Sequence, residues 1–292
     1  MDAASGATQP AHGVTELDEL VRVPGTSRQL RIRLYVPEGM SPVAGGILFV
    51  HGGGYVMGRI QHFDLHCGEL ARGAGCLVAS LDYRLAPEEP YPAALDDCYA
   101  ALEFLATSAG RFGCDSRRLA VSGTSAGAGL AAALTLAVRD RGGPALALQS
   151  LEAPMLDHRG TTPSSRNLAP PKAWNREANE LAWQAYLGPM KEGPVSQYAS
   201  PARAVDLTGL PPAYLAVSAL ELFLDETVDY ARRLVAAAVP VELHVYPNGF
   251  HGSAWAVPDA EESRRWRQDT IAALRAAVVP LPPGSTTASR PQ

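Results

Sequence analysis

The 292-residue chain lacks the features that would assign it to several broad classes. It has no cluster of lysine and arginine: 25 Lys and Arg stand against 30 Asp and Glu, for a net charge of −5. Surfaces that hold nucleic acid or an anionic membrane need a basic patch, so neither partner is expected. No apolar run approaches the length needed to cross a bilayer. The four cysteines, Cys67, Cys76, Cys98 and Cys114, form no CxxC pair. Four scattered thiols in a chain this long point to free, reduced cysteines rather than a disulfide framework. The opening stretch MDAASGATQPAHG has neither the basic nor the apolar part of a secretory signal. A cytoplasmic protein is therefore the expectation. Linker-like runs and internal repeats are missing too. A single domain over residues 1–292 follows, with loose ends at 1–13 and 280–292.

What is present reads as an α/β protein. Hydrophobic residues make up 47% of the chain, enough for a sizeable core. ELVRV and LRIRLYV alternate as half-buried strands do. GGILFV, CLVASLDY and RLAVSG are short apolar runs that suit buried strands. Between and after them lie helical patterns at 93–109 and 126–143, the second closed by Gly142-Gly143. ALALQSLEAP and PAYLAVSA continue the strands, DETVDYARRLVAAA reads as a helix, and VELHVYP as a last strand. Such alternation predicts a mostly parallel sheet covered on both faces, with function gathered at the loops after the strand ends. Residues 157–212 break the rhythm. They hold Trp174, Trp183, Tyr186, many prolines and one helical pattern, NREANELAWQAYLG. An insertion of that length usually carries function or covers a site.

Two motifs carry chemistry. Gly123-Thr124-Ser125-Ala126-Gly127 is a G-x-S-x-G between an expected strand and an expected helix, the context of a nucleophile elbow. Glycines two before and two after the serine admit a tight turn, and the hydroxyl then sits at the positive end of the following helix. The bland alternative is a serine that merely caps that helix. The second motif is His51-Gly52-Gly53-Gly54-Tyr55, directly after a buried strand. Three successive glycines make sense where bare N–H groups must face a ligand, such as the oxyanion of an acyl-transfer intermediate. Gly53 and Gly54 are the expected donors, with the N–H of Ala126. A phosphate loop is the runner-up, but the chain has neither GxxxxGK[ST] nor a helix-opening GxGxxG.

HGGG, then DYRLAPE at 82–88, then GTSAG at 123–127 resemble the hormone-sensitive lipase family of α/β hydrolases. The resemblance extends from about Leu30 to Trp255 and includes GLPPAYLAVSALELFLDE and LHVYPNGFHG. It implies an α/β-hydrolase fold and esterase activity on short- to medium-chain acyl esters, with no cofactor and no metal. Thr124 stands where many members have Asp, and PMLDHR at 154–159 is similar to a GTSAG subgroup. Strands begin near residue 16, so an N-terminally shortened cap is expected. The family also implies pairing of two copies through the edge strand VELHVYP.

The general base is expected in the loop after the last strand, which selects His251; His244 lies within the strand itself. The acid behind the histidine should follow PAYLAVSA, where Glu221 and Asp225 compete. The family acid precedes its histidine by about thirty residues. Glu221 lies 251 − 221 = 30 before His251 and Asp225 lies 251 − 225 = 26. Glu221 also falls at the strand end, while Asp225 opens a helix and suits its first turn. Glu221 is favoured and Asp225 is the alternative. Tyr55 and Trp174 are candidates for the substrate pocket and equally good as packing aromatics. His62 and His66 are four apart, but with no third ligand in view a solvated helix face is the better reading. Asp96 and Asp97 are assigned to salt bridges or caps. Two rival readings of the same fold remain, an amidase or carbamate hydrolase and a non-catalytic small-molecule receptor. A plant hormone receptor group resembling this family lacks the catalytic histidine, and this chain has His251.

Overall fold

The computed structural model describes residues 11–168, 173–188, 190 and 193–280. Eight strands form one sheet in the order β1-β2-β4-β3-β5-β6-β7-β8. Strands β1 (Val14–Arg22) and β2 (Gln29–Pro37) are antiparallel, and β2 runs antiparallel to β4 (Leu77–Leu81). From β4 onward every neighbour is parallel: β3 (Gly46–Val50), β5 (Leu119–Thr124), β6 (Leu146–Glu152), β7 (Ala213–Ser218) and β8 (Val241–Tyr246). The parallel strands read as continuous apolar runs because both of their faces are covered. In β3, Leu48 and Val50 join one core while Ile47 and Phe49 join the other. That is the period-two alternation of a strand buried on both sides.

Helices α2 (Ala93–Ser108), α3 (Ala126–Arg141) and α6 (Leu224–Ala236) cover the first face. Helices α1 (Asp64–Ala74) and α8 (Glu261–Val278) cover the second, with the short α7 (Ser253–Ala256) just before α8. Every residue of α3 from Ala126 to Val138 is buried, which its small Ala and Gly side chains allow. Gly142, with φ 65°, ends it in the left-handed conformation that favours glycine. Helix α6 is instead amphipathic, burying Thr227, Tyr230, Ala231 and Leu234.

Within residues 157–212 lie the short helix α4 (Pro163–Asn167) and α5 (Arg176–Leu187). Thr162 and Asn175 cap them, accepting from the N–H groups of Ser165 and Ala178. The expected loose ends fall mostly on residues 1–10 and 281–292, outside the described residues. Where the expectation reaches residues 11–13 it needs correction. Ala11 is buried against Gly68 of α1, and Gly13 accepts the N–H of Glu38, so the chain is tied down here. Among the described residues no helix is long and apolar enough to cross a membrane. All four cysteines are free and buried.

Candidate active site

Ser125 sits between β5 and α3 with φ 56° and ψ −122°, a conformation that non-glycine residues rarely adopt. The sequence around it makes that turn feasible. A Cβ on Gly127 would lie 2.1 Å from the Val50 carbonyl oxygen, and one on Gly123 would lie 2.5 Å from the Gly127 backbone. Only glycine lets α3 start this close to β3 and β5. The Ser125 N–H donates to the Glu152 carbonyl at 2.8 Å, and the Ser125 carbonyl accepts from Met155 at 3.1 Å. The strained residue is thus pinned from both sides by the end of β6.

The Ser125 Oγ lies 3.0 Å from His251 Nε2, and His251 Nδ1 lies 2.5 Å from Glu221 Oε2. His251 occupies the loop after β8; Glu221 occupies the loop after β7. An Nδ1–H donated to the carboxylate leaves Nε2 free to accept the serine proton. The other oxygen, Glu221 Oε1, accepts the Ser218 N–H at 2.7 Å, which fixes the carboxylate, and its side chain is fully buried. The Phe223 ring meets the imidazole edge-on at 5.0 Å. Asp225 faces elsewhere. Its Oδ2 accepts the Ser164 N–H at 2.7 Å and its own N–H donates to Ser164 Oγ at 3.1 Å. It ties α4 to the first turn of α6.

Beside Ser125, Gly53 (φ 127°) and Gly54 (φ 59°) turn the HGGG loop over the elbow. Among the described residues, no acceptor pairs with the N–H groups of Gly53, Gly54 or Ala126. The loop is held from behind. His51 stacks on Tyr83 at 4.2 Å, and the Tyr83 hydroxyl donates to the His51 carbonyl at 2.9 Å. Burial pushes the His51 imidazole down to about 4, so it stays neutral. In the DYRLAPE segment, the Asp82 carboxylate accepts from the Ile60 N–H, and Arg84 pairs with Asp97 at 2.8 Å. Asp97 is thereby explained as a buried salt-bridge partner.

A cavity of about 430 Å³ opens on Ser125, Glu221 and His251. Its wall includes aromatic rings, among them Trp174 from the 157–212 segment, Phe63, Phe250 and Trp255. Tyr55 takes no part in that wall, which leaves packing as the reading the structure favours of the two. It is buried, its ring stacks on Tyr186 at 4.0 Å, and its hydroxyl donates to the Met155 carbonyl at 3.0 Å. A Tyr55 hydroxyl this close to Gly129 leaves no room for a Cβ there, so its job is packing. His66 also departs from the solvated reading. It packs between Phe49 and Trp255, and burial pushes it down to about 3. His62 is exposed at the cavity rim. No group of three or more His, Cys, Asp or Glu arranged for a metal occurs among the described residues.

Sequence reasoning passed over Phe63, Glu152 and Trp266 on this wall. Glu152 had a legible signal, an acid ending the apolar strand ALALQSLE. It is fully buried. Trp266 Nε1 and Thr270 Oγ1 of α8 donate to its Oε2, while Oε1 has no partner among the described residues. Burial pushes its carboxyl up to about 7.

A strand-turn-serine elbow, a loop of bare N–H groups and a histidine backed by an acid invite comparison with known proteins. The family model described as the alpha/beta hydrolase fold matches residues 47–255. The chain belongs to the α/β-hydrolase family. Among its relatives, the esterase LipI of Mycobacterium tuberculosis is 36% identical over 263 residues, covering 87% of this chain and 81% of LipI. Ethyl acetate hydrolase of Pseudomonas putida is 34% identical over 76% of this chain and 70% of its own. A solved bacterial heroin esterase is 40% identical with a TM-score of 0.88, over 91% of this chain and 85% of that one. Within this hydrolase, the matched segment runs from β3 to Trp255 and takes in Ser125, Glu221 and His251. Trp266 and Thr270, which hold Glu152, fall beyond it.

Proposed function

We propose that this hydrolase is a serine carboxylesterase of the GTSAG subgroup, cleaving short- to medium-chain acyl esters through an acyl-enzyme. The observation that carries the reading is the line Ser125 Oγ, His251 Nε2, His251 Nδ1, Glu221 Oε2, at 3.0 and 2.5 Å. Ser125 attacks the ester carbonyl as His251 takes its proton. Glu221 orients the imidazole and faces the imidazolium that forms. The negative oxygen of the tetrahedral intermediate receives the N–H groups of Gly53, Gly54 and Ala126. His251 then gives its proton to the departing alcohol, and water repeats the cycle on the acyl-enzyme. No cofactor or metal enters these steps. The relatives' names, esterase and ethyl acetate hydrolase, support an ester as the small-molecule substrate.

In this reading, residues 157–212 belong to the single domain as its cap and bring Trp174 over the nucleophile. Two copies pair through β8, which stands at the sheet edge with Leu243 and Val245 exposed. Light scattering of Val245→Lys against the wild type tests that pairing. The four free thiols support a cytoplasmic location. An amidase on the same residues is separated by a panel of matched esters and anilides. A receptor role is disfavoured by the histidine at hydrogen-bond distance from Ser125.

The test is a series of p-nitrophenyl esters from acetate to decanoate. The wild type is expected to favour the short to medium members. Ser125→Ala should lose on the order of 10⁶ in kcat while remaining folded. Undiminished turnover by that variant would sink the reading.

A further inference from the structure

The wall of the cavity has an uneven charge. Among the described residues that form it, none is Lys or Arg; the ionisable groups are two carboxyls and two imidazoles. One carboxyl, Glu221, is committed to Ser218 and His251. The other, Glu152, forms no salt bridge among the described residues. Arg267, which lines a small cleft together with Glu152, donates to the carbonyls of Ala254 and Pro258 instead. Among the described residues, Glu152 Oε1 is buried without a hydrogen-bond partner. A buried carboxylate oxygen left unpaired is costly, and such a group in a cavity wall awaits a donor or a cation.

The rest of the wall favours a cation. Phe63 and Trp255 meet edge to face at 5.2 Å, and Trp174 and Phe250 also line the cavity. Aromatic faces attract ammonium groups, the more so when water is excluded. The subsite also adjoins the reacting centre, because Glu152 accepts the Ser125 N–H through its carbonyl. A substrate carboxylate would meet no fixed positive side chain here; its only strong donors would be the N–H groups meant for the oxyanion.

Resting on the esterase reading above, we propose that this cavity selects esters carrying an ammonium group, received by Glu152 and the aromatic rings around it. An ammonium beside Glu152 draws its carboxyl into the charged form. The groups that face Glu152 are His66 and Glu69 of α1, Arg267 and Thr270 of α8, Tyr214 of β7 through Thr270, and Glu221 and His251 across the cavity. His66 is held neutral by burial, so it supplies no competing charge. With Glu152 titrating at about 7, preference for the cation rises as pH rises through that value.

The experiment compares three acetate esters: acetylcholine, its neutral carbon isostere 3,3-dimethylbutyl acetate, and anionic 4-acetoxybutanoate. The expected order of kcat/KM is cation, neutral, anion, each step about tenfold at low salt. In Glu152→Gln the cation-to-neutral ratio should fall towards one and lose its dependence on pH. Equal rates on all three esters, or the anion preferred, would overturn the proposal; the wild-type ratios decide this without the variant. Failure of all three esters and of p-nitrophenyl acetate would contradict the esterase reading instead. Calorimetric binding of tetramethylammonium against acetate then still decides the cation preference: measurable binding of the first alone supports it, and the reverse overturns it.

Discussion

The two sides of the cavity are built by different physics. On one side, the HGGG loop and the turn from Gly123 to Gly127 are shaped by backbone clearance, with added Cβ atoms at Gly53, Gly123 and Gly127 lying 2.0 to 2.5 Å from neighbouring backbone. On the other, Trp174, Phe63, Phe250 and Trp255 are placed by side-chain packing from separate parts of the chain. The first side admits almost no substitution, so it announces itself as a fixed string of small residues. The second can be filled in many ways, so its members carry no common mark. In the proposed function, one side sets where the reaction happens and the other sets what is admitted.

The sharpest way to break this contrast is at the acid that serves the first side. Glu221→Gln is expected to lower kcat about 10⁴-fold, since the amide no longer holds the imidazole in the required tautomer. Asp225→Asn, which loosens only the α4 to α6 contact, should change kcat by less than about threefold while costing about 1 kcal/mol of stability. Steady-state kinetics of the two variants on one ester reads both. A larger loss in Asp225→Asn would transfer the role to that residue. Next in size, Gly127→Ala should destabilise the fold by about 3 kcal/mol or more, because the new methyl meets the Val50 carbonyl. Urea unfolding measures it, and a neutral result would show that the elbow has slack.

On the aromatic side the effects should be milder. Trp174→Ala is expected to reduce kcat/KM about tenfold on bulky esters and less on acetates, with no loss of stability beyond about 2 kcal/mol. A loss equal on every ester would move Trp174 from admission to chemistry. The last effect concerns Glu152 and pH. Burial pushes its folded carboxyl up to about 7 from an ordinary value of 4.5, so between those values the folded state binds the extra proton. Stability from this group is therefore full at low pH and is lost as pH rises from about 5 to 7. The melting temperature of Glu152→Gln should gain on the wild type over that interval. An unchanged difference between the two curves would show that Glu152 is already ionised.

The legible part of the site is the part held by local geometry. GTSAG and HGGG declared themselves because glycine was the only residue that fitted, and the order of strands and helices followed from runs such as GGILFV and PAYLAVSA. His251 and Glu221 were readable because each follows a strand on the same sheet edge. What stayed hidden depends on contacts across long sequence distances. Nothing local separates Tyr55, buried against Tyr186, from an aromatic that faces the cavity. His66 reads as one member of a helix-face pair, and its packing between Phe49 and Trp255 covers it. Glu152 gains its meaning from Trp266, which is 114 residues away.

The account stands on Ser125 as the nucleophile that His251 and Glu221 serve. Labelling with diethyl p-nitrophenyl phosphate, followed by peptide mass mapping, tests it most directly. One phosphoryl adduct per chain is predicted, on Ser125 alone, forming in step with the loss of esterase activity and failing to form in His251→Ala. An adduct on another residue, or full activity in protein labelled at Ser125, would contradict it.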